Sequence, residues 1–292
     1  MKSYVLQDES DIQWMRDLIA GLPHASTIVD LEENMLLPSV RAATKLWLRG
    51  GKIAGFAFVD DFNNLQFEIE PEHRSARLEN EIIEWGVTCV KKRNAQTGEE
   101  HTLDASFGSD NTWQIALLER SGFVRESLRT LRYGRSLSEP VDAPAFPYGF
   151  SARCVEGEYE VESLVALHRA AFGTENMTVE RRLAIMRAPL YERGLDFVAV
   201  APNGELSAFC ICGFEDENKR VGYTDPIGVH PRYQKLGLGK AIVTAGLHAL
   251  QNRGAKAAEL GTGSENIPMQ RLAEATGFVI VSEKSWFSKK VN

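Results

Sequence analysis

The stretch Gly228-Val229-His230-Pro231-Arg232-Tyr233-Gln234-Lys235-Leu236-Gly237-Leu238-Gly239-Lys240 decides how the chain is read. An apolar run ends at Val229, and a short loop carrying Pro231 follows. Two glycines then lead into Lys240 to Arg253, where Ala241, Val243, Thr244, Leu247 and Leu250 recur at helical spacing. The amides of a helix's first turn have no carbonyl partner within the helix, and the helix dipole adds partial positive charge there. Glycines let a phosphate approach without a Cβ in the way, so strand, loop and glycine-led helix together make an anion cradle. Two nucleotide motifs are excluded. GxxxxGK[ST] would need Gly at the place of Gln234 and Ser or Thr at that of Ala241, and GxGxxG/A needs a small residue where Ile242 stands.

Working outward, the second half reads as a strand from Phe150 to Val155 and a helix from Tyr159 to Phe172. A second helix runs from Thr178, its expected cap, to Met186. Asp196 to Ala201 and Glu205 to Phe214 form a hairpin about Asn203-Gly204, with Glu215 to Glu217 as a solvated turn before a strand from Lys219 to Val229. After the glycine-led helix come a strand from Lys256 to Gly261, a short helix from Pro268 to Ala275 and a last strand from Phe278 to Phe287. The order β-α-α-β-β-β-α-β-α-β predicts a mixed α/β sheet flanked by helices.

The first half repeats these landmarks. Ile53 and Leu206, Pro71 and Pro231, and Gly122 and Gly277 lie 153, 160 and 155 residues apart, in the same order. Between the copies, Pro140, Pro144 and Pro147 mark an extended linker. The expectation is one fold written twice, with domains at residues 1–136 and 148–292 and a linker at 137–147. The copies differ at the cradle. Aligning Pro71 with Pro231 puts Arg77 at the place of Gly237 and Glu79 at that of Gly239, so the first copy should not hold a phosphate in this way.

Gln234-Lys235-Leu236-Gly237-Leu238-Gly239 matches the [RQ]-x-x-G-x-[GA] motif of the GNAT acyltransferase superfamily. The ending from Asn266 through Leu272 to Gly277-Phe278 resembles that family's second motif, and the likeness extends over residues 148–292. The chain as a whole resembles tandem members of the family with a degenerate N-terminal copy. The resemblance implies two GNAT-type domains, each a mixed, mostly antiparallel sheet flanked by helices. It implies that Gln234, Lys235, Leu236, Gly237, Leu238, Gly239 and Lys240 surround the pyrophosphate of acetyl-CoA. The pantetheine arm would pair with the backbone near Ile227 and Val229, and Asn266 would touch the cofactor, an N-cap being the other reading of that residue.

Acetyl transfer to an amine needs the amine neutral, and for a pKa of about 10.4 deprotonation at pH 7 costs roughly 4.6 kcal/mol. A base must take that proton. In the family it is often a carboxylate on the strand before the loop; alternation places Tyr223, Asp225, Ile227 and Val229 on one face. Asp225 is the candidate base, with Tyr223 beside it, and a turn or bulge before Pro226 is the other reading of Asp225. Where relatives carry a Tyr that protonates the leaving thiolate, this chain has Ala273; Ser264 and Tyr223 are substitutes. Arg181 and Arg182 fall on the helix that borders the acceptor in relatives. The implied function is acetyl-CoA-dependent N-acetylation of a small-molecule amine, and the alternative is a non-catalytic CoA-binding sensor or scaffold.

Composition fits this reading and excludes others. Over 292 residues, 43 % hydrophobic and 25 % charged content argues against wholesale disorder. A net charge of −7 argues against a nucleic-acid partner, which would need clustered Lys and Arg. No run of 18 apolar residues spans a membrane, and Met1 to Asp8 lacks the apolar core of a signal peptide. Cys89, Cys154, Cys210 and Cys212 make no CxxC pair, and the histidines lack metal-ligand spacing, so neither a disulfide framework nor a metal site is expected. Cys210 and Cys212 read as free thiols on one strand face, and the protein as cytoplasmic.

Overall fold

The computed structural model describes residues 1–22, 28–216 and 220–291, apart from the side chains of Val29, Glu215 and Asp216. Of the turn expected at Glu215 to Glu217, the backbone of Glu215 and Asp216 instead continues β9, while Glu217 and the strand start at Lys219 lie outside the described residues. The chain forms two compact units, Met1–Thr130 with Glu283–Asn292, and Leu131–Ser282.

The first unit runs β1 (Lys2–Val5), α1 (Glu9–Gly21), α2 (Ile28–Met35), α3 (Pro38–Ala42), β2 (Thr44–Arg49), β3 (Lys52–Val59) and β4 (Leu65–Ile69). It continues through α4 (Ala76–Thr97), β5 (Thr102–Gly108) and α5 (Thr112–Arg120) into β6 (Val124–Ser136), whose last residues belong to the second unit. Strands β1 to β4 pair antiparallel in sequence order. The amphipathic α4 buries Leu78, Ile82, Ile83 and Val90 against them and against Leu103 and Leu117.

The second unit repeats this order without a counterpart of the short α3: β7 (Ser151–Cys154), α6 (Val161–Phe172), α7 (Val179–Arg187), β8 (Asp196–Val200), β9 (Leu206–Asp216) and β10 (Val221–Val229), then α8 (Leu238–Asn252), β11 (Ala257–Gly263), α9 (Ile267–Ala275) and β12 (Val279–Lys290). Strands β7 to β10 pair antiparallel and β10 pairs parallel with β11, so the sheet is mixed and mostly antiparallel, as expected. One sheet face packs α8 through Ile242, Val243, Leu247 and Leu250, and the other packs α6 through Leu164, Val165 and Leu167. Thr178 caps α7 as expected, its hydroxyl accepting from the Arg181 amide at 3.1 Å. Gly254 ends α8 in the left-handed region at φ +91°.

The units divide within strands rather than at the prolines. Residues Glu283 to Lys290 of β12 belong to the first unit, where they pair antiparallel with β5 and bury Phe287 completely. Residues 137–147 form no helix or strand, yet Leu137 and Val141 are buried in the second unit's core. Cys210 and Cys212 are free, buried thiols with their sulfurs 3.5 Å apart, as their spacing predicts. No helix among the described residues is long and apolar enough to cross a membrane.

Candidate active site

The glycine-led loop is held rigidly at its entry. Pro231–Tyr233 forms a single 3-10 turn, and the His230 ring accepts from the Arg232 amide at 3.2 Å, a structural role. Tyr233 donates its hydroxyl to Glu205 at 2.6 Å, and Arg232 pairs with the same carboxylate at 2.8 Å. These hydrogen bonds, with that of Asn203, hold the Glu205 carboxyl down at about 2. The Gln234 amide reaches back to the Val229 carbonyl at 3.3 Å. Lys235 and Gly237 then turn the chain through the left-handed region, at φ +63° and +86°. Such a conformation is strained for Lys235, and backbone strain of this kind concentrates at functional sites.

Gly237 caps α8 without any side-chain hydrogen bond, and a Cβ built on it would meet nothing within 4 Å. The amides of Leu238, Gly239 and Lys240, in the first turn of α8, have no carbonyl partner within the helix and carry the positive end of its dipole. Gly239 serves a different purpose: a Cβ there would come within 3.2 Å of Leu272, so its small size sets the approach of α9 to α8. Leu236 is exposed and Leu238 is buried in the core. A cavity of about 500 Å³ begins at Gly237 and runs past Lys240 and Thr244, with Arg135 and Thr276 on its walls.

Beside the loop, β10 and β11 separate. Their parallel register runs only from Val221–Ala257 to Tyr223–Glu259, whereas β10 keeps its β9 partner as far as Val229. Between Thr224 and Ile227 three steps along β10 match two along β9, a bulge with Asp225 and Pro226 at its centre. Pro226 cannot donate to the ladder, which is why proline inside a strand sits at a bulge. Asp225 is exposed, and its Oδ2 accepts from the Gly261 amide on β11 at 3.3 Å, across the widening gap. Ile227 pairs with Cys210 and Val229 with Ala208, and among the described residues the β11 side of this segment has no strand partner.

The bulge corrects the expected alternation. Tyr223 lies over Gly213 on the face away from α8, while Ile227 and Val229 pack into the cluster beneath α8. The extra residue flips the phase, so the four side chains do not share a face; Asp225 sits at the crossover. Asn266 caps α9, its Oδ1 accepting from the Met269 amide at 3.2 Å. Ala273 is fully buried. Arg182 is likewise not an acceptor contact: it is buried in an ion pair with Asp196, which also accepts from the Tyr191 hydroxyl at 2.7 Å. Burial pushes the Asp196 carboxyl up against the pull of Arg182.

The first unit's counterpart is built differently. The 3-10 turn Pro71–His73 matches Pro231–Tyr233, but α4 begins sooner, capped by the Ser75 hydroxyl. Arg77 pairs with Glu81 at 2.9 Å on the helix surface. Glu79 is buried, accepting from the Trp113 indole at 3.2 Å and paired with Arg120. Arg74 lies over the Trp113 ring at 4.1 Å. Side chains thus occupy the start of α4 where the start of α8 is bare. Sequence reasoning missed the contribution of Arg135 and residues 141–145 to the cavity; the apolar Leu137 and Val141 between the prolines were the available signal.

Residues 161–278 match the model of the acetyltransferase (GNAT) family. A mycothiol acetyltransferase of Arthrobacter sp. is 27 % identical over 239 residues, 77 % of this chain and 71 % of that protein. One from Sanguibacter keddieii is 26 % identical over 290 residues, 92 % of this chain and 90 % of its own length. Among solved structures, a GCN5-related N-acetyltransferase from Sphaerobacter thermophilus superposes with a TM-score of 0.72 at 18 % identity, covering 100 % of this chain and 96 % of that one. A tandem GNAT protein from the clavulanic acid biosynthesis pathway gives 0.74 at 16 % identity, covering 99 % and 98 %. The chain therefore carries a GNAT-family acetyltransferase domain at residues 161–278, within a fold shared with tandem GNAT proteins.

Proposed function

We propose that the second unit transfers the acetyl group of acetyl-CoA to the amine of a small-molecule acceptor. The observation that carries this reading is the bare start of α8 at Gly237 beside the gap between β10 and β11, with Asp225 in the gap. The amides of Leu238 to Lys240 would hold the pyrophosphate, with Gln234, Lys235 and Leu236 shaping the approach. The backbone of Ile227 and Val229 would pair with the pantetheine amides, and Asn266 would border the same channel from the head of α9. When bound, the thioester supplies the activated acyl group.

Asp225 accepts the proton of the substrate ammonium, directly or through one water, and the neutral nitrogen then forms the new C–N bond as the C–S bond breaks. Tyr223, on β10 one residue before the bulge, lies within the same strand segment and is available to orient the amine. The nitrogen loses its second proton as the amide forms, and water relays it to the departing sulfur, whose thiol pKa of about 8.5 makes its anion a tolerable leaving group near neutrality. The name of the curated relatives supports a small-molecule acceptor, and the net charge of −7 supports one other than nucleic acid. The free cysteines fit a reducing, cytoplasmic setting.

Fully buried Ala273, in place of a tyrosine, favours a second reading in which CoA is bound without turnover. Release of free thiol from acetyl-CoA over a panel of small amines separates the two. The expected result is amine-dependent release that falls by about 10²- to 10⁴-fold in Asp225→Asn with acetyl-CoA affinity retained. Binding with no release on any amine would favour the sensor instead.

A further inference from the structure

The cavity at the start of α8 is walled in part by chain upstream of the family-matched region. Arg135, from the end of β6, and the segment from Val141 to Ala145 face Gly237, Lys240 and Thr244 of α8. Gly237 and Thr244 lie two helical turns apart, so the cavity extends about 10 Å along the helix from the bare amides. Its volume, about 500 Å³, is that of a small-molecule site rather than of a single anion. Alanine, glycine and threonine make up most of the wall; its charged groups are Arg135, Lys240 and Asp142, a net cationic lining.

Arg135 is held in place for recognition. Its Nη1 donates to the Thr276 carbonyl at the end of α9, and a Cβ on Gly277 would approach its Nε to 3.4 Å, so Gly277 leaves the guanidinium room. An arginine steadied through one nitrogen presents a planar fork suited to a phosphate. We propose that this cavity takes the phosphorylated adenosine end of CoA, with Arg135 reading the 3′-phosphate and thereby distinguishing CoA from its 3′-dephospho form. The inference rests on the acetyl-CoA reading of the site and adds that residues 131–145 belong to the cofactor site.

Titration calorimetry of the full chain with CoA and with 3′-dephospho-CoA tests it. The wild type should bind CoA at least tenfold more tightly than dephospho-CoA, the lower end of what a charge-assisted contact supplies. Arg135→Gln should bring CoA down to the dephospho-CoA affinity while changing dephospho-CoA binding by less than about threefold. Arg135→Lys, which keeps the charge and loses the fork, should fall between them. Equal wild-type affinity for the two ligands, or equal weakening of both in Arg135→Gln, overturns the proposal while leaving acetyl-CoA in the site. Wild-type chain that binds neither ligand overturns the cofactor reading itself. The wild-type ratio alone decides the matter if Arg135→Gln does not fold.

Discussion

Gly237 and Gly239 are two residues apart and serve opposite needs. Gly237 has a left-handed backbone and empty space around it, while Gly239 is crowded by Leu272. A Glu at 237 would put a carboxylate beside the bare amides and carry about 1–2 kcal/mol of left-handed strain. Gly237→Glu should therefore abolish CoA binding while thermal unfolding stays cooperative and shifts by only a few degrees. A variant that still binds CoA at wild-type affinity would refute the cradle. The sequence made both glycines visible but not their separate roles, because φ and the reach of Leu272 are set by the packing of α9. Asp225 was legible as a carboxylate before a proline, with a turn or bulge there as its other reading; that the bulge reverses the side-chain phase depends on the β9 partner, which alternation along a single strand ignores.

At the scale of elements, β10, α8 and α9 were readable because each carries its own signal: an apolar run, a glycine entry and a Gly-Phe exit. The α6 surface was less so. His168 packs against Phe172, at 4.6 Å, and Phe209, at 5.5 Å. Burial, with Arg182 and Arg181 facing it, lowers its pKa to about 4. The folded state thus keeps His168 neutral over a range in which the unfolded chain, titrating near 6.5, already binds a proton. Its stability contribution is fully present above pH 6.5 and is lost as pH falls toward 4. Melting temperatures across that window should fall more steeply for wild type than for His168→Leu; parallel curves would contradict the assignment. Arg182, read as an acceptor contact, is instead committed to Asp196, a partner on β8 that no local pattern reveals.

The two units share one element order apart from the extra α3 of the first, and the repeat was legible from three pairs of landmarks. The sharing of strand ends was not, since nothing in Ser282–Glu283 marks the change of unit. Phe287 is fully buried and Trp286 donates to Thr130 at 2.9 Å within the first unit. Phe287→Ala should therefore destabilise the N-terminal unit by about 3–5 kcal/mol, read as an early transition in denaturant unfolding; a loss below 1 kcal/mol would contradict that placement. Leu137 and Val141 likewise tie the proline-rich segment to the second unit, so the intact chain is the proper object for binding work. Only the bare helix start at Gly237 is open to hold the cofactor, the start of α4 being filled by Ser75 and Glu79. Titration calorimetry of the intact chain with acetyl-CoA tests it most directly. The expected result is one site per chain, lost in Gly237→Glu; two sites, or one site that survives Gly237→Glu, would contradict a single cradle at α8.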